Sequence, residues 1–282
     1  MGGRVVVVTD STAYLPYGVA ERLAVPVVPL QVVLGGRSGA EGTEVTPAQV
    51  ASALASWVPV STSRPAPAEF AAVYREALDQ GASAVVSLHL SRELSGTWDS
   101  ARLAAAEVDP DLIRVVDSRS AAMGLGFAVL AAAEAAAGGG SQDDVYAAAV
   151  ATAERTTTLF YVDTLEHLRR GGRIGAAQAL LGTALSVKPI LHVQDGRIVP
   201  LEKVRTVSKG IARLEALALT AAGDGPADVA VQHLAADERA GVLAERLRAR
   251  LPQIGRFYAS EIGAVVGAHV GPGVLGVVVV RH

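Results

Sequence analysis

The chain has 282 residues, 50% of them hydrophobic and 19% charged, with a net charge of −3 and a pI near 6.1. That length suits one large or two ordinary domains, and the charge provides no overall basic field for nucleic acid. The absence of cysteine excludes disulfides, thiol catalysis and Cys-ligated metals, and fits a reducing cytoplasm.

Met1–Asp10 reads as a buried strand, not a signal peptide: it holds one basic residue, a run of valines and then an acid. No apolar run reaches the roughly 18 residues of a membrane span, because Glu134, Asp143 and Glu154 interrupt the Ala-rich windows. A cytoplasmic protein without stable membrane insertion is expected.

Arg4–Thr9, Ala84–Leu90 and Leu112–Val116 are short apolar runs, each ending in small polar residues. They are followed by helix-like segments at Tyr14–Leu23, Gly96–Glu107 and Gly126–Ala137, and a further helix is expected over Ala68–Leu78. Continuous apolar strands alternating with helices predict a parallel sheet covered on both faces, with its loops at the strand ends available for binding.

Gly138-Gly139-Gly140-Ser141 breaks the chain, and Ser141 suits the N-cap of a helix over Asp143–Arg155. The texture then changes. Leu159–Asp163 reads as a strand followed by Leu165–Arg170, and Gln194-Asp195-Gly196 as a hairpin turn joining Pro189–Val193 to Arg197–Leu201. Val207–Ala221 and Asp237–Arg250 read as helices, and Val229–His233, Phe257–Ile262 and Val274–Val280 as strands. Two domains are expected: a parallel-sheet α/β domain over 1–157 and an α+β domain over 158–282.

Leu94-Ser95-Gly96-Thr97 lies between a buried strand and an amphipathic helix. A helix start exposes backbone N–H groups and positive potential, Gly96 admits close approach and Ser95 adds a hydroxyl, so a small anion would fit. The same residues fit simple N-capping by Ser95 or Thr97. Ser61-Thr62-Ser63-Arg64-Pro65 is a second hydroxyl cluster, read as a loop; Thr62 could donate to the same anion, or the segment could be turn chemistry. His269-Val270-Gly271-Pro272-Gly273 reads as a rigid loop whose histidine could face an anion or simply the surface.

The remaining histidines, His89, His167, His192, His233 and His282, lack metal-ligand spacing, so no metal is expected. Neither GxxxxGK[ST] nor GxSxG occurs, which removes the P-loop and the nucleophile elbow. Gly124-Leu125-Gly126 lacks the third glycine and preceding strand of a dinucleotide fingerprint, and reads as helix packing or loop. No cofactor is expected.

In chain order, Thr9-Asp10-Ser11-Thr12, Thr62-Ser63-Arg64-Pro65, Leu94-Ser95-Gly96-Thr97 and Val116-Asp117-Ser118 recur in a known pattern. Leu165-Glu166-His167-Leu168-Arg169-Arg170-Gly171-Gly172-Arg173-Ile174, Lys188-Pro189-Ile190-Leu191, Lys203-Val204-Arg205 and His269-Val270-Gly271-Pro272-Gly273 continue it. The sequence thereby resembles the DegV family over nearly its whole length. The resemblance implies two domains with a long-chain fatty acid in a tunnel between them, and a role as the acyl-binding subunit of a bacterial fatty acid kinase. A separate ATP-dependent kinase subunit would phosphorylate the bound carboxylate for phospholipid synthesis. Carried over by motif, Thr62, Ser95, the backbone of Gly96 and His269 would hold the carboxylate, and Arg173 and Arg205 would engage the kinase. The resemblance assigns this chain no catalytic residue of its own; a lipid transport or sensing protein and a serine-dependent hydrolase using Ser95 and His269 are the alternatives. Ala66, Arg92, Glu93 and Trp98 depart from the family's usual residues and bear on pocket shape.

The physics of such a ligand is asymmetric. About fourteen methylenes at about 0.8 kcal/mol each gain on the order of 10 kcal/mol before binding costs. The carboxylate must instead meet hydrogen-bond donors, because burying it unpaired is prohibitive.

Overall fold

The computed structural model describes residues 3–180 and 188–282, so the first two residues of the Met1–Asp10 stretch lie outside the described residues. The chain forms two compact units: residues Met1–Gln31 with Ser63–Glu154, and Val32–Thr62 with Arg155–His282.

In the first unit, strands β1 (Val5–Asp10), β2 (Val27–Val28), β6 (Ala84–His89) and β7 (Ile113–Asp117) form a parallel sheet in the order β2-β1-β6-β7. Helices α5 (Met123–Ala137) and α6 (Gln142–Glu154) cover one face, closing a core of Val7, Val86, Leu88, Leu125 and Val129. Helices α3 (Pro67–Asp79) and α4 (Thr97–Val108) cover the other over Phe70, Tyr74, Val85 and Ala104. This is the expected parallel-sheet architecture, with strands largely apolar because both faces are buried.

Local chemistry sets the element ends. Ser141 and Asp144 cap α6 reciprocally, with the Asp144 N–H donating to Ser141 Oγ at 3.2 Å and the Ser141 N–H to Asp144 Oδ2 at 2.9 Å. Gly126 is packed inside α5, where a side chain would run into the carbonyl of Ala13, so this glycine serves helix packing. The expected helix over Tyr14–Leu23 is shorter. Tyr14 at φ 45° and Gly18 at φ 73° leave the right-handed region, and only α1 (Val19–Arg22) is α-helical.

In the second unit, six strands are ordered β10-β9-β8-β13-β11-β12. They are β8 (Thr156–Tyr161), β9 (Lys188–Gln194), β10 (Arg197–Val204), β11 (Ala227–His233), β12 (Ile254–Glu261) and β13 (Leu275–Arg281). Every pairing is antiparallel except β11 with β12. The β9–β10 hairpin turns through Asp195 and Gly196 at φ 50° and 79°, the two left-handed residues of a type I′ turn. Helices α8 (Val207–Ala222) and α9 (Asp237–Arg250) bury Leu214, Ala218, Leu243 and Leu247 against Val229, Val231, Val277 and Val279.

The segment Val32–Thr62 groups with this second unit, although the expected division at 157/158 assigned it to the first. Strands β3 (Gln31–Leu34), β4 (Arg37–Ala40) and β5 (Val60–Ser63) form a small sheet in the order β4-β3-β5. Helix α2 (Pro47–Ala55), opened by a Thr46–Gln49 capping box, packs against α10 (Ala264–Val270). The buried carboxylate of Glu41 accepts the Val265 N–H at 2.7 Å. An acid at the first turn of α10 satisfies a free N–H group and complements the helix dipole, and so fastens this segment to the helix that carries His269.

Candidate functional site

Thr62 and His269 meet in the second unit. Thr62 lies on β5, a strand and not the loop expected from its hydroxyl-rich sequence, and presents Oγ1 to His269 Nε2 at 2.8 Å. His269 lies in the last turn of α10, again not in a loop. The Gly271-Pro272-Gly273 loop begins only where Gly271, at φ 78°, ends that helix. No helical period is legible for α10 because it spans only seven residues and Gly267 interrupts its apolar run.

Glycine contacts fix the imidazole. Its Nδ1 fills the place a side chain would take at Gly171, just after α7 (Glu166–Arg170), and has no hydrogen-bond partner among the described residues. The ring of His167, on α7, fills the corresponding place at Gly271. Burial, reinforced by the charge of Arg173, pushes the His269 pKa down to about 4. The ring is therefore neutral near pH 7, with one nitrogen bearing a proton.

Arg173 follows Gly171-Gly172 and donates from Nη1 to the Gly171 carbonyl at 2.5 Å. Arg205 is exposed just past β10, two residues after exposed Lys203. Arg169 and Arg170 are held by Glu166, whose carboxyl they keep down at about 2.

Ser95 and Gly96 belong to the first unit, at the start of α4. Ser95 Oγ lies 2.9 Å from Thr97 Oγ1 and accepts the Thr97 N–H at 3.3 Å. The N-cap position itself falls on Gly96 and carries no side-chain cap, so neither Ser95 nor Thr97 is the N-cap residue; Ser95 stands one residue before it, with its hydroxyl at the helix N-terminus. Arg64 packs across Gly96, with its Cδ and Cζ 3.0 Å from where a Cβ would stand. Two of the departures from the family's usual residues are partners here: the guanidinium of Arg92 lies 5.6 Å from the Trp98 ring centre.

A polar chain that the sequence did not reveal runs through the core of the first unit. Tyr74 OH donates to Ser87 Oγ at 2.8 Å, Ser87 Oγ meets His89 Nε2 at 2.7 Å, and His89 Nδ1 meets Asp10 Oδ2 at 3.0 Å. Asp10 also accepts the N–H groups of Leu90 and Thr12 at 3.1 and 3.0 Å. The serine–histidine–aspartate order imitates a hydrolytic triad, yet all three side chains are fully buried. The chain joins strand ends and offers no substrate access. Ser87 and His89 are two apart on one strand and so share a face, which was the available signal; Asp10 joins them only through the β1–β6 pairing.

Among the described residues, no three His, Cys, Asp or Glu side chains are grouped to hold a metal, and no helix is long and apolar enough to cross a membrane.

A parallel-sheet unit and a mixed-sheet unit, with Thr62–His269 in one and Ser95-Gly96 at a helix start in the other, define a two-unit α/β protein with polar groups on strand and helix ends. The family model described as "Uncharacterised protein, DegV family" matches residues 4–282, and the chain belongs to the DegV family. It is 57% identical over 279 residues to the DegV domain-containing protein SCO2569 of Streptomyces coelicolor, covering 99% of each chain. A DegV family protein from Thermus thermophilus, whose structure is described as showing fatty acid binding, superposes with a TM-score of 0.93 at 38% identity. That match covers 98% of this chain and 99% of the other. DegV of Bacillus subtilis, described as a fatty acid binding protein, gives a TM-score of 0.89 at 38% identity, covering 99% of each chain.

Proposed function

We propose that this protein binds a long-chain fatty acid and presents its carboxylate to a separate ATP-dependent kinase subunit, which forms the acyl phosphate. The similar proteins described as fatty acid binding support the ligand class. The observation that carries the head-group assignment is the bond between Thr62 and His269, 207 residues apart in sequence. With the proton on Nε2, His269 donates to Thr62 Oγ1, and the threonine hydroxyl is then free to donate to the acid. Ser95 and the Gly96 N–H add donors at the start of α4. A carboxylate held by several donors is stabilised in its ionised, nucleophilic form.

The protein contributes binding and orientation, and the phosphoryl donor belongs to its partner. The sequence has no P-loop motif, and the internal Ser87–His89–Asp10 chain is sealed from substrate. Arg173 and Arg205 are the proposed contacts with the kinase, and the kinase's need for ATP supports a cytoplasmic location for the proposed pair.

Lipid extraction of the protein purified from a bacterial host tests the ligand: a long-chain fatty acid at near-equal stoichiometry is expected, and its absence in native mass spectra would overturn the reading. With ATP and a fatty acid kinase subunit, Ser95→Ala is expected to slow acyl-phosphate formation about ten-fold or more, for one lost hydrogen bond to a charged group. Ligand binding without acyl phosphate would favour a transport or sensing role.

A further inference from the structure

Helix α2 ends in a Schellman motif. The Val58 N–H donates to the Ala53 carbonyl at 2.9 Å and the Trp57 N–H to the Leu54 carbonyl at 3.2 Å. The motif needs a left-handed residue at position 57, where glycine is usual. Trp57 takes that place at φ 59°, a conformation that strains a bulky side chain. The indole gains no burial in return, being 70% exposed. Glycine would end this helix at lower cost, so the value of the tryptophan lies outside the fold.

The surroundings of Trp57 all belong to the second unit. The Arg170 guanidinium stands 4.9 Å from the centre of the Trp57 ring, and Arg170 Nε donates to Glu166 Oε1 at 2.7 Å. The ring is thus held in place before any partner arrives, which lowers the entropic cost of binding. Leu34, Gly35, Ala48, Ala53 and Val58 line an adjacent shallow cleft of about 510 Å³. Residues 46–62 include no Asp, Glu, Lys or Arg, whereas residues 166–173 hold Arg169, Arg170 and Arg173 against one acid, Glu166. A charge-free centre with a tryptophan anchor and a basic rim is the composition of a protein-binding surface.

Charge selects the occupant. A second copy docked by symmetry would bring the same arginines together. A lipid surface calls for clusters of roughly four or more basic residues, and here the apolar side chains line a cleft that suits an inserted side chain. We propose that the Trp57 cleft is the docking surface for an acidic partner protein, which places an apolar side chain beside Trp57 and Asp or Glu against Arg169 and Arg170. On the reading above, on which this inference rests, that partner is the kinase subunit.

Titration of the palmitate-loaded full-length protein with the purified kinase subunit, at low and high salt, tests the surface. Trp57→Ala is expected to weaken the complex about thirty-fold, the effect of losing an interface anchor, and Trp57→Phe to retain part of the affinity. Arg170→Gln should weaken it about ten-fold and flatten its salt dependence. Trp57→Gly should bind the kinase as poorly as Trp57→Ala while keeping the wild-type melting temperature and palmitate affinity, because glycine suits the helix end. Undiminished kinase affinity in Trp57→Ala overturns the assignment and leaves the kinase reading intact. So does a Trp57→Gly protein that loses melting temperature and palmitate affinity together, which would make the residue structural. Phosphatidylglycerol vesicle binding or self-association that depends on Trp57, with kinase affinity unchanged, overturns it in favour of a membrane or a second copy. A wild-type protein that does not bind the kinase subunit overturns both readings.

Discussion

His269 occupies the space beside Gly171 that a side chain would need, and His167 does the same beside Gly271. Each histidine thus rests on the glycine that follows the other's helix. The exchange fastens α7 to α10 and sets the orientation of the imidazole that meets Thr62. It also connects the proposed head-group histidine to the segment carrying Arg169, Arg170 and Arg173.

Gly171→Ala tests this interlock. Gly171 has φ −73° and ψ −8°, so alanine costs nothing in backbone strain there. Its methyl group would collide with His269, and a loss of about 1–3 kcal/mol is expected from overpacking. Combining it with His269→Ala should cost less than the sum of the two single changes, because the collision disappears. Urea denaturation of the four proteins measures the coupling; strict additivity would show that the ring does not hold this position.

Thr62→Val keeps the shape of the side chain and removes its hydroxyl. His269 Nε2 then loses its partner, and a loss of about 1 kcal/mol in stability is expected for a partly buried group. Fatty-acid affinity should fall with it, whereas Thr62→Ser should preserve most of both. Calorimetric titration with palmitate separates the binding effect from the stability effect.

The parts of this architecture that the sequence made legible are those with local signatures. The valine runs mark β1 and β6, the Gly138–Ser141 breaker marks the entry to α6, and Asp195-Gly196 marks a hairpin. Thr62 and Ser95 stood out as hydroxyls in short polar segments. The segment 24–62 was unreadable because β2 has two residues and β3 and β4 four each, too few for a periodic pattern. Its grouping with the second unit comes from long-range contacts, among them α2 packing on α10 and Glu41 reaching Val265, 224 residues away. Arg64, Gly171 and Asp10 gain their meaning in the same way, from partners that only tertiary structure supplies.

The neutral state of His269 predicts a pH effect on stability. Its pKa falls from 6.5 to about 4 on folding, so the unfolded chain binds the proton more tightly. The contribution is fully present above about pH 6.5 and disappears as pH falls toward 4. At about 1.4 kcal/mol per pH unit the drop amounts to at most roughly 3.5 kcal/mol. His269→Gln should flatten the urea midpoint between pH 6.5 and 4 relative to wild type. An equal slope in both proteins would assign the effect to other groups.

Asp10 anchors the buried polar chain of the first unit, and its charge and geometry are both in use. One carboxylate oxygen receives Thr12, through N–H and hydroxyl, and the other receives Leu90 N–H and His89 Nδ1. Asn at this position would turn an amide N–H toward one of these sets of donors, leaving buried groups unsatisfied. Asp10→Asn is therefore expected to cost about 3–5 kcal/mol, the range for breaking a buried charged network. Ser87→Ala removes only a middle member and should cost about 1–2 kcal/mol. If the chain is structural, a fluorophosphonate probe will leave Ser87 unlabelled in the native protein, since its side chain is fully buried. Labelling at Ser87 together with a loss below about 1 kcal/mol in Asp10→Asn would mean that the chain opens to solvent and acts as the triad it imitates.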